Sequence, residues 1–207
     1  MRIARTLRNK LRGLLQAYGA RRVKRYLWNT EFSQGRWVCL DSTPGDCVYQ
    51  HLEQHANGGS ILDLGCGSGN TGNELNPASY RRYVGVDISD VAIDKARIRS
   101  RENRREETNS YSQADIFDYV PTQKFDVILF RDSIYYIPHG KVPRLLDRYS
   151  SYLSEGGVFV VRMLNANGKY STILDAIDSK FQIVDKHVSK DPLAIVIVFR
   201  PENRVQA

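Results

Sequence analysis

Residues 60–70, SILDLGCGSGN, form an apolar strand that runs without a break into a glycine-rich turn. An uninterrupted apolar strand wants cover on both faces, which is the situation of a parallel sheet packed between helices. The turn at Gly65, Gly67 and Gly69 leaves main chain bare, so a ligand can lie directly against it. A second strand, YVGVD over 83–87, ends in a carboxylate 22 residues beyond Gly65. An acid at the carboxyl end of the neighbouring strand can accept hydrogen bonds from both hydroxyls of a ribose. A dinucleotide fingerprint G-x-G-x-x-G would need glycine at position 70. Asn70 stands there instead, which weighs against nicotinamide or flavin.

Strand-like and helix-like stretches alternate through the rest of the chain. Strands are expected at 60–64, 83–87, 110–114, 125–130 and 158–163. Helices are expected at 48–55, from 70 to 75, at 90–102 with Asp90 as N-cap, at 142–153 and at 172–181. Residues 181–188 and 193–199 read as a closing antiparallel pair joined at Asp191-Pro192. Alternation of this kind predicts an α/β domain with helices on both faces of a mostly parallel sheet.

LDLGCGSGN followed by YVGVDIS resembles motifs I and II of the class I S-adenosylmethionine-dependent methyltransferases. Gln113-Ala114-Asp115-Ile116 is similar to the segment of that family that meets adenine. The stretch 125–130 is similar to its fourth strand, and LSEGG at 153–157 to the segment leading into its fifth. The resemblance covers about residues 60–200. It implies a three-layer Rossmann-like sandwich whose seven-stranded, mostly parallel sheet has an antiparallel last strand. It also implies S-adenosyl-L-methionine as cofactor and S-adenosyl-L-homocysteine as product. By position, Gly65 and Gly67 would present backbone to the methionine part, with Asp63 shaping the loop. Asp87 would hold the ribose, and Ile88 would pack on adenine. Asp115 would accept from the adenine amino group, Ile116 would add a backbone contact, and Phe130 and Arg131 would lie beside the methionine portion.

Methyl transfer from a sulfonium is an in-line displacement, so placing the acceptor and excluding water matter more than a dedicated catalytic group. Residues at the carboxyl ends of parallel strands face the ligand crevice. That singles out Asp132, Tyr135, Tyr136 and His139 after the fourth strand, and Asn165 and Asn167 after the fifth. His139 is the candidate base, because an imidazole titrates near neutrality. Tyr135 is the second catalytic candidate, since an aromatic face attracts a sulfonium. Arg131-Asp132-Ser133-Ile134 stands where enzymes methylating adenine or glutamine amino groups carry [DNS]-P-P-[YFW], which disfavours that class. No Cys follows that strand to attack a pyrimidine ring. His51 and His55, four apart with no third ligand, are expected to be surface residues, and no metal is expected.

The net charge of +7 is concentrated at the start. Residues 1–28 carry nine basic side chains and no acid, leaving 21 basic against 23 acidic residues elsewhere. A uniform nucleic-acid-binding surface is therefore disfavoured. Ile3, Leu7, Leu11, Leu14, Leu15 and Tyr18 share one helical stripe over residues 1–18, and Gly19 is the expected stop. A cationic helix of this kind either lies on an anionic membrane surface or packs its stripe on the protein body or a partner. Tyr26, Trp28, Phe32 and Trp37 are expected to cover the cofactor and shape the acceptor pocket. The expected division is thus a basic helix with an aromatic lid over 1–58 and a cofactor-binding domain over 59–202.

Three cysteines without a CxxC pair, and the lack of an apolar span or signal pattern, point to the cytoplasm, with a peripheral place at the inner face of a membrane. The reading is a methyltransferase acting on an oxygen or nitrogen of a small molecule, whether metabolite, sugar or lipid-linked precursor. Two rivals stand beside it: an RNA methyltransferase using the basic arm, and a non-catalytic cofactor-binding module.

Overall fold

A computed structural model describes residues 2–164, 168, 170–190 and 193–202. Two helices open the chain, α1 (Arg2–Tyr18) and α2 (Arg21–Ser33), followed by α3 (Val48–Ala56). Then come β1 (Ser60–Leu64), α4 (Asn70–Glu74), β2 (Arg82–Asp87), α5 (Asp90–Glu102), β3 (Asn109–Gln113) and β4 (Phe125–Arg131). The chain closes with α6 (Val142–Ser150), β5 (Leu153–Leu164), α7 (Ser171–Asp178), β6 (Phe181–Lys190) and β7 (Leu193–Pro201). The seven strands make one sheet in the order β3-β2-β1-β4-β5-β7-β6. All neighbours are parallel except β7, which runs antiparallel to both β5 and β6. The expected sandwich and its antiparallel last strand are borne out.

Successive strand residues point to opposite faces, and each face has its own core. Leu62, Leu64, Ile128, Phe130, Phe159 and Val161 pack on one side, with Leu146 and Tyr149 of α6 and Ile177 of α7. Ile61, Tyr83, Val127, Leu129, Val158 and Val160 pack on the other, with Leu52 of α3 and Ile93 and Ala96 of α5. Cover on both faces explains why all five residues of β1 are buried, with Ser60 and Asp63 buried among its apolar side chains.

Several details differ from the sequence reading. Residues 21–33 form a full helix, α2, where only an aromatic run was expected. The N-cap of α5 is Ser89, whose hydroxyl accepts from Ala92 N at 3.2 Å; Asp90 is the first helical residue and pairs with Arg25. Helix α6 stops at Ser150, and β5 starts at Leu153 with a register shift opposite Phe125 and Val127. That irregularity absorbs Glu155-Gly156-Gly157, which the sequence reading sets ahead of the fifth strand. Gly19 does end α1, its N–H donating to Leu15 O, and Asn57 closes α3 at a left-handed φ of 42°. Asn165, Asn167 and the Asp191-Pro192 junction lie outside the described residues, as do the side chains of Ile3 and Leu7.

Candidate active site

The carboxyl ends of β1, β2 and β4 open into one elongated pocket, closed over by α2 and the 37–40 turn and enclosing about 1,070 Å³ with its mouth. At its centre lies the glycine turn. Gly65 has φ +91°, and a Cβ there would fall 2.5 Å from the Cβ of Ser133, so the β1 and β4 loops touch only because a side chain is missing. Asp87 ties the turn down: its Oδ2 accepts from Gly67 N at 3.0 Å and its Oδ1 from Ser89 N at 2.8 Å. Burial pushes its carboxyl up to about 6, against the pull of those N–H groups. Gly69 stands outside the pocket lining. Its missing side chain instead makes room for Ala96 and Tyr111 where α5 and β3 pack on the turn.

Asp63 sits beneath the turn, 1% exposed. Its Oδ2 accepts from the Tyr83 hydroxyl, but its Oδ1 is buried with no hydrogen-bond partner. Burial raises this carboxyl to about 7. An orphaned acceptor in a pocket wall is costly unless a ligand donates to it. Beside bare main chain, Asp63 Oδ1 fits the ammonium of an amino-acid tail, and Asp87 on the next strand fits a ribose. These residues therefore fit the cofactor that the resemblance implies.

Ile88, Asp115 and Ile116, which the resemblance assigns to adenine, share one stretch of the pocket wall with a residue the sequence reading did not include. Lys24 of α2 reaches across and places Nζ 2.5 Å from Asp115 Oδ2. Asp115 Oδ1 also accepts from Phe117 N at 3.0 Å. An adenine amino group must share this carboxylate with Lys24 or displace it.

At the far end, beyond β4, four charged groups interlock. Arg131 donates to Thr43 Oγ1 at 2.7 Å, Asp46 Oδ2 at 2.8 Å, Tyr49 OH at 3.0 Å and Thr71 Oγ1 at 3.1 Å. It lines the pocket, yet its guanidinium is spent on clamping residues 43–49. Arg162 of β5 pairs with Asp46 at 3.3 Å and with Asp132. Burial works to raise the Asp46 carboxyl, but Arg131 and Arg162 overcome it and hold the group low. Asp132, on the pocket wall, is raised by burial despite Arg162. It is a non-glycine residue at φ 53°, which costs about 1 kcal/mol or more and draws notice to what the carboxylate does there.

Above Asp132 stands an aromatic wall. Trp28 packs edge-on against Tyr136 with ring centroids 4.8 Å apart, and lies 5.9 Å from Trp37. Buried Glu31 holds this roof together. It takes the Trp37 indole N–H at 2.9 Å, Gln16 Nε2 at 2.8 Å and the guanidinium of Arg12.

The structure brings Asp63, Gly65, Gly67, Asp87, Ile88, Asp115, Ile116 and Arg131 together around one pocket, and leaves out four expected residues; Tyr26, expected in the lid with Trp28, Phe32 and Trp37, is 70% exposed and stands outside the lining. Phe130 is fully buried in the α6–α7 core, because neighbouring strand residues cannot both face one pocket. His139 sits exposed in the His139–Lys141 turn, outside the lining. Tyr135 lies behind Tyr136, stacked on Tyr170 at 4.7 Å, with its hydroxyl 3.3 Å from Asp132 Oδ1. His51 is not on the surface either: it is buried, with Nδ1 3.1 Å from Asp185 Oδ2. Among the described residues, no group of three His, Cys, Asp or Glu side chains is placed to hold a metal.

Two raised carboxyls give the pocket a pH signature. Each is neutral below its folded value and cannot hold a cation or accept two hydroxyl protons there. The ammonium of a free amino-acid tail stays charged throughout this range. Affinity for S-adenosylhomocysteine should therefore rise as pH increases from about 5 to about 7 and then level off. Calorimetric titration across that range checks this, and Asp63→Asn should flatten the limb near 7.

A methyltransferase-domain family model matches residues 45–189. The mRNA cap guanine-N(7) methyltransferase of Schizosaccharomyces pombe is 29% identical over 116 residues, covering 52% of this chain and 32% of that protein. The trans-aconitate 2-methyltransferase of Enterobacter sp. is 33% identical over 104 residues, covering 50% and 38%. The chain thus spans about a third of the length of these curated relatives. Among solved structures, the N-methyltransferase NodS of Bradyrhizobium japonicum with S-adenosylhomocysteine superposes with a TM-score of 0.62 at 19% identity, covering 83% of this chain and 88% of that one. With the pocket, the sheet order and the matched domain in agreement, the chain belongs to the class I S-adenosylmethionine-dependent methyltransferases.

Proposed function

We propose that this chain transfers the methyl group of S-adenosylmethionine to an oxygen or nitrogen of a small acceptor seated at the aromatic end of the pocket. One observation carries the reading. The Asp132 carboxylate, held at a strained φ, lies on the wall of an enclosure that Trp28, Trp37 and Tyr136 also line. When bound, the cofactor supplies an electrophilic methyl on a sulfonium, whose C–S bond breaks in line as the new bond to the acceptor forms. Asp63 and Asp87 orient the donor from one side. The aromatic wall excludes water and presents ring faces to the positive charge. Asp132 accepts a hydrogen bond from the acceptor O–H or N–H and takes its proton as the bond forms. Its burial makes it a stronger base than a surface carboxylate. This role replaces the one expected of His139.

A second reading, methylation of RNA with the basic arm as tether, draws on the name of the S. pombe relative. Against it, Arg12, Arg21, Lys24 and Arg25 are already engaged by Glu31, Asp118, Asp115 and Asp90. The test is a labelled methyl donor incubated with cell extract, followed by separation into RNA, lipid and small-molecule fractions. Label is expected outside RNA, and label confined to RNA overturns the proposal. With the acceptor in hand, Asp132→Asn should lower kcat by about 10²-fold and leave cofactor affinity within about threefold. Unchanged kcat removes Asp132 from the mechanism.

A further inference from the structure

Helix α1 is turned inside out. A surface helix normally buries its apolar stripe and wets its polar one. Here the polar edge faces the body: Gln16 is 7% exposed, and both Gln16 and Arg12 are held by Glu31. The apolar stripe faces outward, with Leu11 and Leu14 each 57% exposed, Leu15 38% and Tyr18 67%. Four large apolar side chains in one exposed row mark an interaction surface.

Charge selects the occupant. Residues 1–28 hold nine cations and no acid. Four of the nine are paired with the body, as described above. Lys10 and Arg22 are exposed and make no ion pair among the described residues. Arg2, Arg5 and Arg8 add three more charges to the start of α1. Across a two-fold contact between copies of this chain, those charges would oppose one another. Against RNA, the leucine row would gain nothing. A surface with an apolar interior and anionic headgroups satisfies both halves of the helix.

We propose that α1 docks on an anionic lipid bilayer, its leucines in the headgroup–acyl boundary and its cations among the phosphates. A helix is only about 10 Å across. Since Gln16 on its inner edge lines the pocket, docking sets the acceptor end of the pocket close to the bilayer surface.

The test is vesicle flotation of the full chain, which involves no methyl transfer, so this proposal and the preceding one fail separately. Binding is expected to vesicles of phosphatidylcholine with one third phosphatidylglycerol, at least tenfold over phosphatidylcholine alone, and to weaken at high salt. The Leu11→Glu/Leu14→Glu variant should lose roughly tenfold or more for each leucine, with affinity for S-adenosylhomocysteine unchanged. The Lys10→Ala/Arg22→Ala pair should lose roughly tenfold without touching the apolar row. The proposal is overturned by the absence of vesicle binding or by equal binding to neutral lipid. It is equally overturned by a leucine variant that still binds, by a dimer that this variant dissociates, or by RNA binding in place of vesicle binding.

Discussion

Asp87→Ala is expected to weaken S-adenosylhomocysteine binding by about 10²–10³-fold, the largest effect of any single change in this pocket. The carboxylate does two things at once. It accepts the main-chain N–H groups of Gly67 and Ser89, which fixes the glycine turn against the start of α5. On the proposed reading its remaining lone pairs accept from the ribose hydroxyls, and hydrogen bonds to a charged acceptor contribute about 1.5–3 kcal/mol each. Alanine removes the ribose contacts and frees the turn. Asp87→Asn keeps the shape and one acceptor oxygen, so its loss should be intermediate. Titration calorimetry measures both, with thermal unfolding as the control for the fold. Full affinity in the alanine variant would mean that the ribose is held elsewhere and that the pocket has been misread.

Glu31→Ala should open the roof. Glu31 is 6% exposed and engages Arg12, Gln16 and Trp37 together. Removing one partner of a buried ion pair costs about 3–5 kcal/mol, because the other charge is left uncompensated. That cost falls on the docking of α1 and on the Trp37 wall, not on the sheet. The open population of α1 should therefore rise by roughly 10²-fold or more, which limited trypsinolysis reads directly on a helix rich in Arg. Trp28→Ala, which removes the edge contact to Tyr136, should loosen the same roof to a smaller degree. Cleavage of α1 at the wild-type rate in Glu31→Ala would show that Glu31 does not hold the roof.

The parts of the site that lie along two adjacent strand–turn–helix units were legible in the sequence. Asp63, Gly65, Gly67, Asp87 and Ile88 belong to two adjacent βα units, so sequence spacing alone carries them to one crevice. The burial of Phe130 was legible too: Arg131 next to it takes the pocket face, and the two-residue period of a strand sends its neighbour to the opposite core. The N-cap of α5 was not legible, since Ser89 and Asp90 are both good capping residues and only the extended backbone of Ser89 separates them. Lys24 on Asp115, Glu31 under Arg12, and Asp46 between Arg131 and Arg162 had no signal at all in the sequence.

The α/β class, the glycine turn and the acid on the next strand came from local pattern, and the resemblance to a known family added the seven strands with the last one antiparallel. Strand periodicity and backbone sterics act over a few residues, and the chain records them directly. Which residues close the pocket, which carboxylate stands on the wall with Trp28, Trp37 and Tyr136, and which way the basic helix turns its leucines were decided by tertiary packing. Those outcomes depend on burial and charge pairing between segments far apart in sequence, and an amphipathic pattern states that a stripe exists without stating what it faces.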